Sequence, residues 1–171
     1  MAEKEISARE ALRAPFRPKK VRMLFIGESP PASGRFFYQG DSGLYRAVRD
    51  AFCAVDSSIT EENFLPAFKD AGCFLIDLCG RPVDKLEPTE RRAACKAGEP
   101  ALSGRIRDLQ PVTIVCLVRS IEKNVERAIA QAGWEGTLLT IPYPGRWVHH
   151  RREFLRVLRP RLEALMNVKR P

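Results

Sequence analysis

The sequence predicts a three-layer α/β/α domain built on a central, mostly parallel four-stranded sheet. Four short apolar runs are separated by stretches with helical periodicity, and strands that alternate with helices pair in parallel. The length of 171 residues suits one domain with a sizeable core, so we expect residues 1–171 to form a single domain. The predicted strands are residues 21–26, 73–78, 111–118 and 136–141.

The predicted helices fill the segments between these strands. Residues 1–20 are expected to form an N-terminal helix, centred on residues 6–12, and a basic connector. The later helices are predicted over residues 42–53, from Thr60 onward, over 88 to about 109, from an N-cap at Ser120 to 132, and over 148–166, with a kink or interruption at Pro160.

The loop after the first strand carries the first candidate functional residue. The run Met23–Ile26 is continuously apolar, and Gly27 ends it before a loop that contains Glu28 and two consecutive prolines. In open α/β sheets, ligands bind beyond the carboxyl ends of the strands, so Glu28 is a candidate site residue. The alternative is an acid in an ordinary strand-to-helix turn.

Composition limits the classes of partner. Hydrophobic residues make up 44% of the chain, no apolar run approaches the roughly 20 residues of a membrane span, and the N-terminus lacks a signal-peptide core. We therefore expect a cytoplasmic monomer with no membrane partner. The net charge is +8, and residues 145–171 hold eight basic against two acidic side chains. That clustering indicates either a nucleic-acid partner or a solubilising helix face.

Several short motifs follow one another in a recognisable order. They are GESPP at 27–31, an aromatic-x-Gly-x-x-Gly segment at 38–43, Cys-Gly-Arg-Pro at 79–82 followed by Glu90 and Cys95, SGRIRDLQPVTIVCL at 103–117, and PYPGRWVHHRREF at 142–154. In this order they resemble the uracil-DNA glycosylase superfamily over roughly residues 21–165, most closely its iron–sulfur class, often called family four. The resemblance implies a uracil-DNA glycosylase-like fold.

The resemblance also implies an activity and a site. The expected protein is a DNA base-excision glycosylase that hydrolyses the N-glycosidic bond of a deaminated or damaged base flipped into a pocket. Glu28 would stabilise the sugar cation or activate water, and His149 or Tyr143 would donate to the departing base. The expected base-binding residues are Gly27, Ser29, Pro30, Phe37, Tyr38 and Asp77, with Tyr38 stacking on the base. The expected DNA-binding residues are Arg146 and Trp147 as a wedge, and Arg151 and Arg152 on phosphates.

The chain departs from the iron–sulfur class in its cysteines. That class has an N-terminal cysteine pair, whereas the first cysteine here is Cys53. Cys79 and Cys95 alone are too few for a cluster that takes four ligands, so we expect no iron–sulfur cluster, no other cofactor and no metal. The two thiols are either a relic or a pair that meets across a loop.

Other departures keep two further interpretations open. Tyr143 stands where the family has its second-motif histidine, and Leu75 falls where many relatives have an asparagine that reads uracil. The protein may therefore be written as a catalytically inactive superfamily member that binds DNA or a modified nucleotide. An unrelated α/β nucleotide-binding protein or hydrolase is the other alternative, although the chain has no Walker loop, G-x-G-x-x-G after the first strand, or G-x-S-x-G elbow. A DNA-repair role would place the protein on the nucleoid.

Overall fold

The computed structural model describes residues 2–145 and 147–167, apart from the side chains of residues 2 and 3. Its centre is a four-stranded, all-parallel sheet with the strand order β2-β1-β3-β4. The strands are β1 (Met23–Gly27), β2 (Cys73–Asp77), β3 (Thr113–Cys116) and β4 (Thr137–Thr140). The predicted α/β class and its four parallel strands are confirmed.

Six α-helices in the described ranges flank this sheet: α1 (Ala2–Arg13), α2 (Gly43–Cys53), α3 (Phe64–Asp70), α4 (Pro88–Leu109), α5 (Glu122–Ala132) and α6 (Val148–Asn167). Right-handed crossovers place α2 and α3 on one face of the sheet and α4 and α5 on the other. α6 packs against α2, which completes a three-layer α/β/α arrangement. None of the described helices combines the length and the apolarity that a membrane crossing requires.

The core on the α2–α3 side of the sheet is a cluster of aromatic rings. Leu24, Phe25 and Ile26 of β1 are completely buried, which agrees with the continuous apolar run in the sequence. The ring of Phe68 lies with its centroid 5.6 Å from that of Phe25 and 5.3 Å from that of Phe37. Such ring pairs stabilise the fold beyond their buried area. They fix the loop that follows β1 against the end of the sheet.

On the opposite face, a buried carboxylate joins α4 to α5. The Oε1 atom of Glu99 accepts hydrogen bonds from Asn124 Nδ2 at 2.7 Å and from Arg127 Nη2 at 2.7 Å. Glu99 itself is buried, whereas the Arg127 side chain is half exposed. The adjacent Arg127 guanidinium lowers the pKa of the Glu99 carboxyl below its usual value. Ionised Glu99 therefore stabilises the folded state at neutral pH.

We expect Glu99→Gln to lower the melting temperature by a few degrees at pH 7. Because the pKa of Glu99 is depressed in the folded protein, its contribution is present above the usual carboxyl range and is lost as the pH falls through the folded-state pKa. The gap between variant and wild type should therefore shrink in melting curves taken from pH 7 towards pH 3. Glu62→Gln, at an exposed position, is the control. A gap that stays constant with pH would contradict this account of Glu99.

Three local predictions are wrong. Ser120 does not cap a helix, because it lies in the 3-10 turn Arg119–Ile121 and α5 begins only at Glu122 without a side-chain cap. The helix expected from Thr60 begins at Phe64, since the Thr60 amide donates to Asn63 Oδ1 and closes a turn instead. α6 continues through Pro160 without interruption. Its apolar face is buried, and that packing offsets the lost hydrogen bond.

Candidate functional site

A cleft of about 500 Å³ lies at the edge of the sheet where the strands end. Its walls come from the loop after β1, the last residue of β2, the turn around Phe37 and the loop after β4. Of the residues predicted from the sequence, the cleft brings together Gly27, Glu28, Ser29, Pro30, Phe37, Asp77 and Tyr143. Its volume lies within the range of about 300–1,000 Å³ that is typical of small-molecule sites.

Glu28 is held firmly in this cleft. The backbone carbonyl of Glu28 accepts from the amide of Cys79, which prolongs the pairing of β1 with β2 by one residue. Its carboxylate is bound by both arms of Arg91: Nε donates to Oε1 at 2.7 Å, and Nη2 donates to Oε2. Only 11% of the Glu28 side chain is exposed. The two-point contact fixes the orientation of the carboxylate and compensates its charge.

Asp77 is the second carboxylate of the cleft and lies opposite Gly27 in the sheet register. A Cβ atom at position 27 would lie 2.7 Å from Asp77 Oδ1, so only glycine leaves room for this carboxylate. Asp77 Oδ2 is 3.2 Å from Nη2 of Arg13, a buried residue at the end of α1. Burial raises the pKa of Asp77 and the Arg13 guanidinium opposes that rise. Arg13 thus favours the ionised form of a carboxyl that burial disfavours.

The predicted base-stacking role of Tyr38 is wrong. Tyr38 is buried behind the cleft, and its hydroxyl donates to the carbonyl of Leu75 at 3.1 Å and accepts from the Leu75 amide at 2.8 Å. Its ring stacks on Phe16 with a centroid separation of 5.6 Å. β2 is an edge strand, so the Tyr38 hydroxyl pairs backbone groups that no neighbouring strand reaches. Burial raises the pKa of this hydroxyl far above its usual value. The aromatic ring that lines the cleft is that of Phe37.

We expect Tyr38→Phe to lower the free energy of unfolding by about 1–3 kcal/mol, because it leaves the buried amide and carbonyl of Leu75 without their partner. Denaturant unfolding measures this loss. Tyr45→Phe is the matched control, since the Tyr45 hydroxyl makes a single bond to the carbonyl of Glu61. A Tyr38→Phe protein with unchanged stability and impaired ligand binding would restore the predicted role of Tyr38 in the cleft.

The residues at the start of α6 lie outside the cleft. His149 is exposed, with its ring centroid 6.3 Å from that of Trp147 and 4.3 Å from that of His150. Trp147 is 65% exposed, and Arg151 and Arg152 are also exposed, with Arg151 Nε donating to the carbonyl of Gly145 at 3.0 Å. Arg146, the other half of the predicted wedge, lies outside the described residues.

Of the two predicted donors to a departing group, the cleft therefore contains Tyr143 and not His149. Tyr143 is partly exposed, and its partial burial raises the pKa of the hydroxyl. A phenol with a raised pKa stays neutral at physiological pH and is able to donate a hydrogen bond into the cleft. The expected role of His149 as a donor does not fit its position in this conformation.

Arg91 and Arg13 were both missed in the sequence. Each binds a cleft carboxylate that lies more than sixty residues away in the chain. A signal existed for Arg91, because α4 begins beside the edge at which β2 ends and Arg91 falls in the first turn of that helix. No comparable signal existed for Arg13, since a buried arginine in a charged N-terminal helix reads as a solvent-facing residue.

The cysteines do not fit a four-thiolate cluster. The sulfur atoms of Cys79 and Cys95 lie 3.9 Å apart, which confirms that these two thiols meet. Burial raises the pKa of Cys79 to about 12, so its thiol form is favoured over the thiolate that ligates iron. The thiols of Cys53 and Cys116 hydrogen-bond to main-chain carbonyls elsewhere. Within residues 2–145 and 147–167, no group of three or more metal-ligating side chains converges.

No protein-family model matches the chain, and no curated protein matches its sequence. We therefore infer its function from the geometry of the cleft and from the order of motifs in the sequence.

Proposed function

We propose that this protein is a DNA base-excision glycosylase, which hydrolyses the N-glycosidic bond of a deaminated or damaged base flipped into the cleft. One observation supports this above the others. Two nearly buried carboxylates, Glu28 and Asp77, face the same 500 Å³ cleft from the ends of adjacent strands. A base-excising site needs one group for the sugar and another for the base, and these two acids are placed to divide that work.

Glu28 is the residue we assign to the sugar. When the bond between C1′ and the base nitrogen breaks, its electron pair leaves with the base and the sugar acquires positive charge. A fixed carboxylate facing that sugar stabilises the charge and orients the attacking water. The water oxygen bonds to C1′, one water proton is released, and the departing base is protonated. Arg91 contributes by holding the Glu28 carboxylate in one orientation.

The remaining groups of the cleft suit recognition of the base. Ionised Asp77 accepts an N–H group of the base edge, and the amides around Gly27 are placed to donate to a base carbonyl. Phe37 supplies an aromatic surface, and Tyr143 a neutral hydroxyl donor for the charge that develops on the departing base.

The surface beside the cleft suits DNA. Trp147 follows Tyr143 by four residues and is exposed, as an intercalating wedge requires. Arg151 and Arg152 lie on the first turn of α6 and are placed to reach phosphates. The net charge of +8 supports a polyanionic partner. A location on the nucleoid would follow from this activity.

A second candidate function is supported by the state of Glu28. Both arms of Arg91 occupy its carboxylate, and the described histidines lie outside the cleft. A carboxylate neutralised in this way is a weaker catalyst. These features favour a superfamily member that binds DNA or a modified nucleotide without cleaving it.

A single-turnover assay separates the two candidates. Protein in excess is incubated with duplexes that carry uracil, hypoxanthine or another deaminated base, and abasic sites are detected by alkaline strand cleavage. Abasic product from one of these duplexes supports the glycosylase. Tight binding of a lesion duplex without product supports the binding protein. If no duplex or single strand is bound or cleaved, both proposals fail and an unrelated nucleotide-binding protein or hydrolase becomes the better interpretation.

A further inference from the structure

A second cleft, of about 510 Å³, lies on the other side of the Glu28–Arg91 ion pair. We call it the basic cleft. It runs between the first half of α4 and the start of α5. It shares Glu28 and Arg91 with the first cleft, so a single ion pair forms part of the wall of both. The polar side chains that line it otherwise are Arg92, Lys96, Ser120, Asn124 and Arg127.

The charges of the basic cleft do not balance. Arg91 is paired with Glu28, and Arg127 with Glu99. Within the part of the chain that the structure describes, neither Arg92 nor Lys96 has a carboxylate at ion-pair distance; Arg92 Nη2 reaches only the hydroxyl of Thr89, at 3.3 Å. Both side chains are exposed. The basic cleft therefore holds two cations more than anions, which is the electrostatic condition for binding an anion.

The arrangement of these groups suits phosphate. Arg92 and Lys96 are four residues apart on α4 and therefore lie on the same face of the helix. A guanidinium offers a planar fork to two phosphate oxygens, and an ammonium adds a compact charge with three donors. Ser120 lies across the cleft and adds a neutral hydroxyl donor. A nucleotide whose base lies in the first cleft carries its phosphates outside that cleft, and the basic cleft is its neighbour.

We propose that the basic cleft binds phosphate groups through Arg92 and Lys96. The phosphates are those of the DNA backbone that flanks the nucleotide held in the first cleft, and this assignment of their source rests on the proposed function. The same chemistry would also accept the phosphates of a small ligand. Binding in the basic cleft anchors the strand from the α4 side, while the arginines of α6 lie on a different element.

The test measures the binding of an undamaged, fluorescently labelled short duplex by anisotropy over a series of salt concentrations. For the double variant Arg92→Gln/Lys96→Gln, we expect the slope of log affinity against log salt to fall by about 1.8, since each phosphate contact contributes about 0.9. Affinity at low salt should fall by roughly tenfold or more. The control is Lys19→Gln/Arg107→Gln, which removes the same charge from exposed positions where the strands begin. The control should keep the wild-type slope.

A second arm identifies the source of the phosphate. Binding of pyrophosphate is measured by calorimetry for the same proteins. If the Arg92 and Lys96 variant loses pyrophosphate binding and keeps duplex binding, the basic cleft takes a small phosphorylated ligand. If the variant binds both probes as the wild type does, the proposal is overturned. Should the double variant melt at a lower temperature than the control, the single variants Arg92→Gln and Lys96→Gln replace it, each with about half the change in slope.

These outcomes are independent of base release, because the duplex carries no damaged base. Release of a base by a protein whose binding ignores Arg92 and Lys96 would refute the basic cleft alone. Binding that depends on both residues, without release of any base, would refute the glycosylase alone.

Discussion

Glu28→Gln is expected to slow base release by about 100-fold or more under single-turnover conditions. Glutamine keeps the size of the side chain and removes its negative charge, so the sugar cation loses the group that stabilises it. The measurement is the rate of abasic-site formation with protein in excess, on whichever deaminated base the wild type accepts. Affinity for the same duplex should change far less than the rate, because Glu28 is assigned to the transition state rather than to the bound DNA.

The control for this variant is Glu90→Gln. Glu90 is exposed in the first turn of α4, one residue before Arg91, so the control removes a nearby charge without touching the cleft. It should release the base at the wild-type rate. Melting curves of both variants check the fold, since Glu28→Gln also leaves Arg91 without its anionic partner. A folded Glu28→Gln protein that releases the base at the wild-type rate would remove Glu28 from the mechanism.

Phe68→Ala is expected to lower the free energy of unfolding by about 3–5 kcal/mol. Phe68 is completely buried and its ring contacts those of Phe25, Phe37, Phe52 and Phe64. Alanine leaves a cavity at the centre of this cluster, where four rigid rings cannot collapse into the space. Denaturant unfolding measures the change. A shift in melting temperature of about 2–4 °C for each kcal/mol should accompany it.

Val112→Ala is the matching control, because the Val112 side chain is 56% exposed and its loss opens no cavity. We expect it to change the free energy of unfolding by less than about 0.5 kcal/mol. If Phe68→Ala is no less stable than this control, the aromatic cluster does not hold the loop after β1 against the sheet in the way described.

The fold was predictable because its signals are local. The run Met23–Ile26 reads as a strand buried on both faces, and it forms the second strand of a four-stranded parallel sheet. α4 likewise begins at Pro88, where a proline at the first helical position marks the start of a helix. The local errors share a cause: Ser120 and Thr60 are good capping residues, but the turns around them satisfy the backbone by other bonds.

The site was predictable only in part. Gly27, Glu28 and Asp77 could be found because parallel strands bring their carboxyl ends to one edge of a sheet. Tyr38 could not be separated from Phe37 by spacing alone, since a single 3-10 turn decides which ring faces the cleft. The ion pairs of Arg91 and Arg13 depend on tertiary contacts between distant segments, for which one sequence carries no direct signal.

The most direct test is a crystal structure of the protein bound to a duplex that contains one abasic site. We expect the abasic sugar to lie in the first cleft, with the Glu28 carboxylate facing its C1′ atom and the vacated base position between Phe37 and Asp77. A complex in which the sugar remains stacked in the duplex, or in which the DNA lies on another face while the first cleft contains no part of it, would contradict the proposed function.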